Sequence, residues 1–66
     1  MRKLEKYFRD RSFDAYELAA LLGCSIKEAK QKLTGEDDFT SAEKERIKDY
    51  FEISDEQMKQ LLEYWS

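Results

Sequence analysis

Apolar residues along the chain recur at helical spacing, and polar residues that suit helix starts punctuate them. Leu4, Tyr7 and Phe8 mark a first helix from Arg2 to about Asp10, with a basic outer side. Phe13 precedes Asp14, and Glu17 follows three positions later. This is a capping box, in which the Asp14 side chain accepts the Glu17 N–H and the Glu17 side chain reaches back, with Phe13 stapled to Leu18. The second helix, Tyr16 to Leu22, buries Leu18, Leu21 and Leu22, while Ala19 and Ala20 allow close approach; Gly23 ends it. Ser25 and Glu28 form the next box and open a helix of about nine residues closed by Gly35. In that helix Ala29 and Leu33 form a narrow inward seam, which leaves Lys27, Lys30 and Gln31 pointing outward.

The polar stretch Glu36–Asp37–Asp38 follows, anchored by Phe39. Thr40 with Glu43 starts a fourth helix with Ile47, Tyr50 and Phe51 inward. Ser54 with Gln57 starts a fifth, flanked by Ile53 and lined by Met58, Leu61, Leu62 and Trp65. The caps Ser25, Thr40 and Ser54 each open one short helix and do not make an internal repeat. The expected fold is a single all-α domain over residues 1–66, a compact five-helix arrangement. Its second and third helices, short and joined by a tight glycine turn, make a helix-turn-helix.

Composition narrows the chemistry. The chain has 66 residues, one cysteine, no histidine, no proline and two glycines, so neither an internal disulfide nor a zinc staple supports it. Its stability must come from helix packing, with the 14% aromatic content as the main resource. Cys24 reads as a small hydrophobe in the turn. With no histidine, no Ser–base or Cys–base pair and no glycine-rich phosphate loop, nothing supplies an activated nucleophile. No enzyme activity, catalytic residue, metal or cofactor is expected. No apolar run approaches the roughly 18 residues of a membrane span, and no secretory pattern follows Met1. A cytoplasmic protein with a reduced thiol is the expectation.

The net charge of −3 hides an asymmetry. Residues 1–33 carry eight Lys/Arg and five Asp/Glu, whereas residues 34–66 carry four and ten. The outward side of the helix-turn-helix therefore belongs to the basic half. At the other end, Tyr64 and Trp65 are candidates for a homodimer or partner contact.

The whole chain resembles the Cro/repressor-type (XRE-like) helix-turn-helix regulators. It is most similar to small versions carried by phages of Gram-positive bacteria, which fold like the lambda repressor domain. The residues that carry the resemblance are Leu18–Ala19, Leu22–Gly23–Cys24–Ser25, Lys32–Leu33–Thr34–Gly35 and Phe39–Thr40, with Glu43 and Ile47. The resemblance implies a sequence-specific regulator of transcription. Its third helix enters the major groove of a double-stranded operator, usually as a homodimer. Carried over by position, Ile26, Lys27, Lys30 and Gln31 would contact bases: Lys27 donating to guanine, Gln31 pairing with adenine, Ile26 meeting a thymine methyl. Ser25, Lys32 and Thr34, with Arg9 and Arg11, would contact phosphates.

Two positions depart from the family pattern. The glutamine that often opens the second helix is Ala15 here, and the loop after Gly35, commonly basic, is Glu36–Asp37–Asp38. Carboxylates near phosphates are repelled, so the alternative is a helix-turn-helix used as a protein-interaction module, an antirepressor or modulator binding another regulator. DNA binding requires Lys27, Lys30, Lys32, Arg9 and Arg11 to form one positive face with Glu36–Asp38 outside it.

Overall fold

The structure, a computed structural model, describes residues 3–62 and contains five helices: α1 (Lys3–Asp10), α2 (Ala15–Leu22), α3 (Ile26–Thr34), α4 (Ser41–Phe51) and α5 (Asp55–Leu61). No strand occurs among the described residues. The expected positions of Tyr64 and Trp65, as dimer contact or helix lining, lie outside the described residues. All four expected capping boxes form. The cap side chains of Asp14, Ser25, Thr40 and Ser54 accept the N–H three residues on, at 3.0–3.1 Å. The returning bonds from the cap N–H groups to Glu17, Glu28, Glu43 and Gln57 are 3.4, 3.0, 2.8 and 2.9 Å. Each box satisfies amide donors that a short helix leaves unpaired at its start. That matters in a chain whose α5 is only seven residues long.

Both glycines sit at helix ends in the left-handed region, Gly23 at φ 71° and Gly35 at φ 95°. There a side chain is strained and glycine is not. Glu52 closes α4 with φ 54° without that advantage.

The apolar stripes converge on one core: Leu4 and Phe8 from α1, Phe13, Leu18, Ala19 and Leu22 around α2, Ala29 from α3, Phe39, Ile47 from α4, then Met58 and Leu62. Leu4, Leu18 and Ile47 are fully buried, each such side chain contributing about 1.5–3 kcal/mol of transfer free energy. Around Phe8 the rings of Tyr7, Phe13 and Phe51 meet at centroid distances of 5.0–6.3 Å. This cluster joins the ends of α1 and α4. α2 packs most extensively on α3 and also on α4, and α1 rests on α3 and α5. One expected core residue lies elsewhere: Tyr50 is 56% exposed. Ile47 and Phe51 occupy the inward positions of α4, so Tyr50 rests its ring on Phe13 and Phe51 (5.4 and 4.9 Å) at the edge of the core.

Candidate nucleic-acid interface

The turn between α2 and α3 sets the direction of α3. The Gly23 and Cys24 N–H groups both donate to Ala19 O (2.8 and 3.1 Å), which reverses the chain within one turn and delivers Ser25 as the next cap. α3 then turns Ala29 fully inward and half-buries Leu33. The opposite side carries Ile26, Lys27, Lys30, Gln31 and Thr34, and with Glu36 these residues line one open surface depression. All four expected base-contacting residues are therefore brought together. Ile26 is 36% exposed, a large apolar side chain left facing water. Lys27 and Lys30 are exposed and form no ion pair among the described residues, and Gln31 is half-buried at the edge.

The expected phosphate contacts divide. Ser25 is exposed at the start of α3, but Glu28 already closes that helix end by accepting the Ser25 N–H at 3.0 Å. The hydrogen bonds from the Ser25 backbone and side chain hold the Glu28 carboxyl below its ordinary pKa, with the charge of Lys32 as a smaller cause. A second anion at this end of α3 would meet an ionised carboxylate. Thr34 is exposed, and its hydroxyl donates to Gln31 O at 3.2 Å. Arg9 and Arg11 are exposed near the end of α1 and do not line the α3 depression. Arg9 lies 3.9 Å from Glu5. The Arg11 guanidinium stacks over the Tyr7 ring at 3.5 Å and donates to Tyr7 O at 3.2 Å.

Lys32 departs from expectation. Its side chain is only 8% exposed, and its ammonium points away from the outward side of α3. It pairs with Glu43 at 3.0 Å and Asp37 at 3.5 Å and donates to Asp38 O at 3.0 Å. Lys32 is thus an internal clamp between the end of α3, the acidic loop and the start of α4, and no phosphate contact can be assigned to it. Burial works against its charge, but the hydrogen bond and charge of Glu43, then Asp37, outweigh that and raise its pKa. For Glu43 burial again opposes ionisation, and the Thr40 N–H and Lys32 outweigh it, lowering the pKa. The helical spacing carried a signal for this inward placement. Lys32 is three residues after Ala29, and Ala29, Lys32 and Leu33 share the i, i+3, i+4 side of the helix.

The acidic loop is split by the same clamp. Asp37 faces Lys32 and accepts the Asp38 N–H at 3.0 Å, whereas Glu36 lines the α3 depression beside Lys27 and Lys30. The single positive face expected of Lys27, Lys30, Lys32, Arg9 and Arg11 therefore does not form: the depression carries Lys27 and Lys30 with the carboxylate of Glu36 beside them, Lys32 is buried, and Arg9 and Arg11 do not line it. Cys24 is half-buried, and desolvation, then the charges of Glu28 and Glu43, raise its thiol pKa, which favours the protonated form.

Among the described residues no cluster of His, Cys, Asp or Glu is arranged to hold a metal ion, and no helix is long and apolar enough to cross a membrane. Comparison with family models, curated proteins and solved structures returns no match to this chain.

Proposed function

We propose that this protein is a sequence-specific double-stranded DNA-binding regulator that lays α3 in the major groove. The observation that carries the reading is the single depression lined by Ile26, Lys27, Lys30 and Gln31, on the second helix of a helix-turn-helix. These side chains cover the chemistry of base edges. Unpaired ammonium groups donate to guanine O6 and N7, an amide matches adenine, and an exposed Ile suits a thymine methyl. Arg9 and Arg11, exposed near the end of α1 and outside the depression, are the further phosphate contacts that the resemblance implies. The regulatory role, of Cro or repressor type in a phage, rests on the resemblance in sequence. It implies an operator and no chemical step.

A second reading, a protein-interaction module, is favoured by one observation: Glu36 shares the depression with Lys27 and Lys30. Such a mixed-charge face suits a protein surface. Selection of random duplex DNA on the purified chain, followed across salt concentration, separates the two. An enriched motif with a steep salt dependence is the outcome expected for DNA recognition. No enrichment, with binding that vanishes near physiological salt, would favour the protein-interaction reading.

A further inference from the structure

The end of α3 is fixed on one acceptor. The Gln31 carbonyl receives the Thr34 hydroxyl at 3.2 Å, the Gly35 N–H at 3.1 Å and the Asp37 N–H at 3.2 Å. Glu36 sits between the last two donors, directly after the left-handed Gly35. The backbone on both sides of it is held by the helix it follows, and its side chain returns to the side of Lys27 and Lys30. The carboxylates of this loop are not equivalent. Asp37 is engaged by Lys32 and the Asp38 N–H, and neither aspartate lines the α3 depression. Glu36 does line it, is exposed, and forms no ion pair or hydrogen bond among the described residues. Lys30 lines the same depression, also without an ion pair among the described residues. An acceptor and a donor thus share one surface without neutralising each other.

We infer that Glu36 is a specificity-determining residue, reading with Lys30 a single G·C pair in one orientation, an inference that rests on the DNA-binding function proposed above. In the major groove guanine presents O6 and N7, both acceptors, and its paired cytosine presents the N4 amino donor. A lysine beside a carboxylate complements that edge, ammonium to guanine and carboxylate to the cytosine amino group. The other bases match a carboxylate less well. Thymine presents an acceptor and a methyl, guanine two acceptors, and adenine sets N7 beside its amino group, whereas cytosine offers only a donor. Turning the pair over sets ammonium against amino group and carboxylate against O6, so its orientation is read too. The scale is suitable: α3 has nine residues, a length of about 14 Å against a groove roughly 12 Å wide. The arrangement also gives a carboxylate a place on a face that must approach phosphates. Its repulsion is a cost that the matched pair offsets and a mismatched pair does not.

Selection of random duplexes on the wild-type chain and on Glu36→Ala, with circular dichroism as the control for folding, decides the matter. The wild type should enrich a motif containing one oriented G·C pair. Glu36→Ala should relax preference at that pair by roughly 10-fold and leave the positions read by Ile26, Lys27 and Gln31 unchanged. Lys30→Ala should relax the same pair. N4-methylcytosine there, which removes the groove-facing N–H, should weaken the wild type by a similar factor and have little effect on Glu36→Ala. A Glu36→Ala variant that enriches the same motif with unchanged preferences, and binds every duplex more tightly, would show that Glu36 only repels phosphates. The inference would then fail while DNA recognition stood. A wild-type chain that enriches no motif would overturn DNA recognition itself, and the inference with it.

Discussion

Lys30 and Lys32 stand two positions apart on α3 and end in opposite environments. Lys30 projects into the open depression without an ion pair among the described residues, while Lys32 is buried between Glu43, Asp37 and the Asp38 carbonyl. Residues i and i+2 do not face each other on a helix, so one lysine can serve recognition and the other structure. A run of like charges therefore reports the composition of a helix but not its binding face. The angle around the helix decides, and here it removes Lys32 from a face that a count of charges would include.

The largest consequence is for stability. Lys32→Ala leaves the Asp38 carbonyl without its donor and Glu43 with the Thr40 N–H but no counter-charge, an expected loss of about 2 kcal/mol. In a domain of this size that lowers the melting temperature by roughly 10 °C. Lys30→Ala should leave it nearly unchanged, and thermal unfolding of the two variants compares them directly. Equal, small effects would show that the Lys32 clamp contributes nothing. The clamp also predicts a pH dependence. The Glu43 pKa is lower in the folded chain than its ordinary 4.5, so its contribution is full above that value and is lost as pH falls through the folded one. The Lys32 pKa is raised above 10.5, so its contribution is present below that value and is lost as pH rises through the folded one. Urea unfolding of the wild type should weaken on both sides, and Lys32→Ala should flatten the alkaline loss.

Binding sharpens the same contrast. Gln31→Ala should relax preference at one base position, a discrimination of about 1–3 kcal/mol in selection experiments. Lys30→Ala should weaken binding, relax preference at the base pair it faces and reduce the salt slope by about 1, whereas Lys32→Ala, kept folded at low temperature, should retain both preference and slope. Glu36→Lys should steepen it by a similar amount, because Glu36 lies in the depression, and salt titration reads all three.

Local rules reached much of this architecture from the sequence. The four capping boxes, both glycine stops and the inward Leu18, Ala29 and Ile47 depend on spacing within one or two turns, which a sequence displays directly. The outward Lys27, Lys30 and Gln31 follow for the same reason, and Ile26 joins them through the resemblance. Contacts between distant segments were less legible. Lys32 finds Glu43 eleven positions away only because the acidic loop folds back, and Arg46 finds the Leu21 carbonyl through the packing of α2 on α4. Helical period alone points Tyr50 inward. Its exposure follows from Phe51 occupying the core position beside it, a choice between neighbours that periodicity cannot make.

The most direct test of α3 as the recognition surface is amide and side-chain shift mapping of the whole chain with duplex DNA at low salt. The account predicts that the largest changes fall on Ile26, Lys27, Lys30 and Gln31, while the Lys32 ammonium stays unperturbed. Changes centred on any other surface, or none on α3 while the DNA is bound, would contradict it.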